Sequence, residues 1–167
     1  MTIPIRYIPK YLSKTDANKQ YASIQRSRRQ YTQKKYYKRP YVKSFVSKPS
    51  KHVSRAKKMY KVKTIMPSRK LARETGCSLR TLEKIVNKGR GAYYSSGSRP
   101  NQTPDSWGLA RLASAITGGN SSVIDYHLLE EGCKKTSPAL RLANQTMRCK
   151  KRKSNPTISK KNPKTRR

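Results

Sequence analysis

The sequence predicts a mainly α-helical protein: a small helical domain containing a helix-turn-helix-like unit, flanked by an extended basic N-terminal arm and a basic C-terminal tail. Three observations predict it. Apolar residues recur at helical spacing, between capping residues, chiefly in the middle of the chain. Acidic residues gather there too: residues 1–67 hold 19 Lys and Arg against the single acid Asp16, residues 68–133 hold nine against six, and residues 134–167 hold 13 against none. A segment with that excess of one charge repels itself and lacks the apolar surface to offset its ordering entropy. Residues 1–67 therefore read as an arm, 68–149 as the folded unit and 150–167 as a tail.

The arm carries eight of the 11 tyrosines, with Tyr11, Tyr21, Tyr31 and Tyr41 at intervals of ten residues and Tyr36 and Tyr37 between the last two. An even interval keeps one face of an extended strand. Pro4, Pro9, Pro40, Pro49 and Pro67 break the segment. Tyrosine offers a large apolar body, a polar tip and little rotamer entropy to lose, which suits a chain lying in a partner's groove. Tyr11, Tyr21, Tyr31, Tyr36, Tyr37 and Tyr41 are the candidate anchors, and the arm is expected to order on binding. The alternative is a disordered basic tail whose tyrosines are idle; such tails are poor in aromatic residues, so the composition favours a use for them.

In the folded unit, Ser68 is placed to cap a helix with Leu71, Ala72 and Thr75 facing inward, Gly76 supplies a left-handed turn, and Ser78 caps a second helix carrying Leu79, Leu82, Ile85 and Val86. This is the helix-turn-helix-like unit; its outward residues Arg80, Lys84, Lys88 and Arg90 are candidate DNA contacts. The run NKGRG (87–91) ends the second helix, and AYYSSGSRPNQT reads as a loop. Thr103 and Pro104 open a third helix containing Trp107, Ala110, Leu112, Ala113 and Ile116, closed by Gly118 and Gly119. Ser121 or Ser122 caps VIDYHLLEEG, which reads as a helix ending at Gly132, a short strand being the alternative. Ser137 and Pro138 start a basic helix, ALRLANQTMRCK. The expected core is Leu71, Leu82, Ile85, Trp107, Leu112 and Ile116. In the tail, Lys150, Lys151, Arg152 and Lys153 form a run suited to phosphate contacts, followed by Lys160, Lys161, Lys164, Arg166 and Arg167. A nuclear-targeting signal has the same look.

The formal net charge of +34 calls for a polyanionic partner. Cys77, Cys133 and Cys149 are odd in number and lack CxxC spacing, so free thiols in a reducing compartment are expected, with neither a disulfide framework nor a zinc site. No apolar run is long enough to span a bilayer, and MTIPIRYIPK lacks the apolar stretch of a signal peptide, which points to synthesis in a cytosol-like space. For catalysis the sequence offers His127 with Glu131 at helical spacing, Glu130, Cys133 and Arg99. No phosphate-cradling loop, nucleophile elbow or second ligand pair accompanies them. The expectation is a non-enzymatic protein with no catalytic residue, metal, cofactor or small-molecule substrate.

The run GRGAYYSSGSRPNQTPDSWGLARLASAITGG, together with VIDYHLLEEGC, resembles a small domain of unknown function that recurs in large double-stranded DNA viruses, notably those infecting algae, with relatives in phages. Its most specific part surrounds Trp107, Arg111, Gly118 and Gly119. The resemblance implies a viral origin and a place in the virion, after synthesis in the host cytoplasm or passage through the nucleus; it brings no catalytic residues. Two roles follow. The favoured one is a minor capsid protein linking capsid proteins of the same virus from the inner side of the shell through the arm. The alternative is a nucleoid protein condensing viral double-stranded DNA with the helix-turn-helix and both tails. The basic segments also suit an anionic inner membrane surface.

Overall fold

The computed structural model describes residues 2–154, with the backbone alone for 151–154. Among the described residues eight α-helices and a 3-10 turn at Ile5–Tyr7 follow one another, and strand pairing is limited to one antiparallel bridge between Cys77 and Cys133. The helices are α1 (Lys14–Thr32), α2 (Lys51–Tyr60), α3 (Arg69–Thr75), α4 (Leu79–Ser95), α5 (Pro104–Ile116), α6 (Asn120–Ile124), α7 (Tyr126–Gly132) and α8 (Pro138–Ser154). The mainly helical fold class is as expected; the arm is not. Residues 1–67 hold α1 and α2, and each begins at a serine cap. The Ser13 hydroxyl accepts from the Asp16 amide, and Ser50 from the Val53 amide.

The boundaries of α3, α4 and α5 follow the capping chemistry. Ser68 and Ser78 accept from the amides of Leu71 and Thr81, Gly76 lies at φ 70°, and Thr103 and Ser106 close a reciprocal capping box with Pro104 in the first helical position. Ser137 likewise accepts from the Leu140 amide at the start of α8.

Two expected breaks fall elsewhere. α4 runs through Gly89 and Gly91 to Ser95. A glycine inside a helix costs about 1 kcal/mol relative to alanine, and here the close approach of α5 compensates it: a Cβ on Gly89 would sit 2.5 Å from the Cα of Gly108, and one on Gly108 2.7 Å from the Val86 carbonyl. The segment 123–132 is helical but broken at Asp125, which ends α6 and begins α7. Neither Ser121 nor Ser122 caps it: α6 starts after Gly119, and the Ser122 hydroxyl donates back to the Gly119 carbonyl.

α5 is the hub, packing on α2, α4, α6 and α8, while α4 is gripped by α1, α3, α5 and α7. Leu71, Leu82, Ile85, Leu112 and Ile116 are fully buried, as expected, with Leu129, Ala139 and Ala143 alongside them. Trp107 is not at this centre; it is only partly buried, at the edge of α5, where its ring meets Tyr7 edge-on at 5.7 Å. Residues 1–67 contribute to the same core through Ala56, Tyr60, Val62 and Ile65, and the buried Tyr60 hydroxyl donates to the Ile116 carbonyl. Burial pushes the Tyr60 phenol up to about 12. A second, smaller cluster of Leu12, Val42 and Phe45 lies wholly within the same N-terminal segment.

The cysteine expectation is also corrected. Cys77 and Cys133 form a disulfide between the α3–α4 turn and the end of α7. They stand opposite each other in a non-hydrogen-bonded antiparallel pair, the arrangement that brings side chains closest, flanked by bonds from Ser78 N to Gly132 O and Lys134 N to Gly76 O. Sequence spacing does not reveal this, because 56 residues separate the two. Cys149 is a free, exposed thiol.

Candidate nucleic-acid interface

Of the seven carboxylates, Asp125 is fully buried, Asp16 is half-buried and the other five are exposed, three of them beside a partner within the domain. Asp125, fully buried where α6 meets α7, accepts two bonds from Arg111, at 2.7 and 2.8 Å, and lies 3.2 Å from the Lys88 ammonium. Asp105 binds Arg90 Nε at 2.6 Å. Asp16 accepts from both the amide and the hydroxyl of Ser44, and these bonds, with help from Lys19 and Lys43, hold its carboxyl below the usual range. Glu74 lies against Arg73, and Glu130 faces the Tyr126 hydroxyl, whose pKa is raised by burial and by that carboxylate. With 41 lysines and arginines against seven acids, the outward electrostatic character is basic.

These pairings reorder the expected DNA contacts. Lys88 and Arg90 are ion-pair partners of Asp125 and Asp105 within the domain. Arg80 and Lys84 remain exposed, one helical turn apart on α4. They share the exposed face of α4 with Glu83 and Asn87 and with the paired Lys88 and Arg90. His127 does not pair with Glu131; its Nε2 lies 3.4 Å from Lys88 Nζ.

The better-formed cationic surface lies on α8, where sequence reading placed only a basic helix. Ala139, Leu140 and Ala143 face the core, which turns Arg141, Gln145 and Arg148 outward along one side. With Lys135, Thr136, Asn144 and Cys149 they line an open groove of about 490 Å³. A second hollow of about 280 Å³ shares Gln145 and Cys149 and adds Arg55 from α2, with Thr117, Gly118, Leu142 and Thr146. None of the lining residues is acidic. Tyr126 fixes one wall by donating to Asn144 Oδ1 at 2.6 Å. Lys150 continues the exposed cations, and the backbone of α8 carries on through Lys151, Arg152 and Lys153, whose side chains lie outside the described residues, as do Lys160, Lys161, Lys164, Arg166 and Arg167 altogether.

The tyrosines separate into different environments. Tyr11 stacks on Phe45 at 6.3 Å, Tyr21 accepts a bond from Gln25, Tyr37 lies under the Arg26 guanidinium at 4.8 Å, and Tyr41 is exposed on a loop. The ten-residue interval therefore marks no common face. Tyr31 and Tyr36 come together with Tyr93 and Tyr94 of α4, a meeting that sequence reading did not foresee. The Arg39 guanidinium lies 3.7 Å over Tyr93 and donates to the Tyr93 carbonyl and the Ser98 hydroxyl, while its buried Nε has no partner.

A model for a family of unknown function, DUF5824, matches residues 4–128, and the chain belongs to that family. The match joins α1 and α2 to the helices that follow and stops before α8. No curated protein and no solved structure matches the chain.

Proposed function

We propose that this member of the family is a non-enzymatic nucleic-acid-binding protein that neutralises and compacts its ligand by sequence-independent phosphate contacts. The observation that carries the reading is the α8 groove, a concave surface lined by Lys135, Arg141 and Arg148 and free of acidic residues, on a protein with 41 lysines and arginines against seven acids. Cations in that arrangement meet phosphates as point charges and gain affinity from counterion release. On the viral resemblance, the ligand proposed for these phosphate contacts is the double-stranded DNA of a viral genome. Arg80 and Lys84 on α4 form a second contact zone.

A shell-linking role is the second reading. An extended arm would have been its basis, and α1 and α2 remove that basis. What favours it is the exposure of Ile5, Tyr11, Tyr41 and Val46 in the segments that carry the small Leu12–Val42–Phe45 cluster, a surface suited to another protein.

The test is a salt titration of binding to a labelled duplex. Replacing both Arg141 and Arg148 by alanine should weaken binding uniformly across sequences and lower the slope of log K against log salt by about 2, close to one for each phosphate that is no longer neutralised. An unchanged slope would remove the groove from the interface.

A further inference from the structure

In the segment QKKYYKR, residues 33–39, the chain turns back on itself beside α4. α1 ends in a Schellman motif: Lys34 N bonds to Tyr31 O, Lys35 N to Gln30 O, and Lys34 takes the left-handed conformation at φ 58° that glycine usually fills. This turn lays Tyr36 against Tyr94 at 5.0 Å, edge to face, and 6.1 Å from Tyr31. Tyr31 in turn stacks on Tyr94 at 5.7 Å with the rings 11° from parallel, and Tyr93 braces Tyr94 edge-on at 5.1 Å. The Tyr36 side chain is thus held in place by a cluster of three other rings yet remains 71% exposed. An aromatic ring positioned by other rings and left open to solvent is a prepared surface, whereas a free tyrosine on a loop is not.

Its surroundings select the ligand. Lys34, Lys35 and Lys38 are exposed within the same seven residues, and no acidic residue occurs from 17 to 73. The carboxylate that bears on Tyr94, Asp105, is itself bound to Arg90. A flat π-face amid ammonium groups matches a ligand that alternates flat bases with phosphates, and it can be used only where the base faces are open.

We propose that Tyr36, backed by Tyr31 and Tyr94, is a stacking platform for a base of single-stranded nucleic acid, with Lys34, Lys35 and Lys38 on the flanking phosphates. The proposal rests on the nucleic-acid reading above and adds to it a preference that phosphate contacts alone do not give.

The test compares a labelled oligothymidylate of about 20 nucleotides with a duplex of equal length at about 0.15 M salt, using the full-length protein. Tyr36→Ala should weaken single-strand binding about ten-fold and leave duplex binding within about two-fold, and Tyr36→Phe should retain the wild-type affinity for both. Because Tyr36 is exposed, both variants should melt with the wild type. In Tyr36→Trp the added indole emission should be quenched by the oligothymidylate. Equal weakening for both ligands, no weakening for either, or unquenched emission overturns the platform while leaving phosphate binding intact. Failure of the wild type to bind either oligonucleotide would instead remove the nucleic-acid reading itself.

Discussion

The two sides of α4 are built on different chemistry. Toward α5 and α7 it presents Leu82, Ile85, Val86 and Gly89 to an aliphatic core closed by a disulfide. Toward α1 aliphatic packing gives way to the stacked rings of Tyr31 and Tyr94 and to polar contacts at and beyond the end of α4. Gln20, fully enclosed, donates to the carbonyls of Tyr7 and Ser98, Ser27 donates to the Tyr94 carbonyl, and Arg39 to that of Tyr93. Ile24 is the one fully buried large aliphatic residue of α1. Farther out, Asn101 exchanges a pair of bonds with the Val42 backbone. A highly basic segment can therefore fold against a domain with few apolar residues, provided its side chains satisfy backbone groups that would otherwise be orphaned at the helix end and loops. The difference implies unequal stability: the aliphatic side carries the global fold, and the polar side can open by itself.

The sharpest break of the aliphatic side is electrostatic. Arg111→Met leaves Asp125 buried with only the half-exposed Lys88 opposite it, and should cost about 3–5 kcal/mol in denaturant unfolding. A cost below about 1 kcal/mol would show that Lys88 and local water compensate the charge.

Removal of the disulfide comes next. The double change Cys77→Ala and Cys133→Ala frees a loop spanning 56 residues and should lower stability by about 4 kcal/mol on the chain-entropy account. Reductant should destabilise the wild type and leave the variant unaffected.

The polar side should respond differently in kind. Gln20→Ala strips donors from two buried carbonyls, at a cost of about 1–3 kcal/mol, yet should chiefly expose α1 to proteolysis and hydrogen exchange while Leu112 and Ile116 stay protected. Equal loosening of both regions would merge them into one cooperative unit.

The smallest effect, and the one that separates the regions by pH, comes from Asp16 and Tyr60. Asp16 has a depressed pKa in the folded chain, so its contribution is present above its ordinary value of 3.8 and lost as pH falls through the lower one. Tyr60 has a raised pKa, so its contribution is complete below 10 and lost as pH rises to about 12. Hydrogen exchange should show acid loosening the Asp16–Ser44 contact first and alkali the α2–α5 contact first, with Asp16→Asn and Tyr60→Phe each flattening its own limb.

Much of the middle of the chain is legible in the sequence because its signals are local. Ser68, Gly76, Ser78, Thr103, Pro104 and Ser137 act within one helical turn of themselves, and Leu71, Leu82, Ile85, Leu112 and Ile116 recur at the helical period. Residues 1–67 are not legible in the same way, although Ser13 and Ser50 offer the same kind of cap, because α1 has too few apolar residues to show a period and charge outweighs the caps. Candidate site residues divide likewise. Arg80 and Lys84 are exposed, as α4's periodicity indicates, but nothing local distinguishes them from Lys88 and Arg90, which Asp125 and Asp105 claim from 37 and 15 residues away.

By itself, then, the sequence determined the helical class, most helix boundaries of the central segment, the aliphatic core and the net charge of +34. Each follows from composition or from interactions a few residues long. Tertiary structure alone decided that α1 and α2 join the domain, that Gly89 and Gly108 mark a helix crossing, that Cys77 meets Cys133, and that Tyr36 rests on Tyr94. All of these depend on groups distant in the chain meeting face to face: a buried glutamine and an exposed one, or an idle tyrosine and a braced one, are the same letter until the opposing surface is in place.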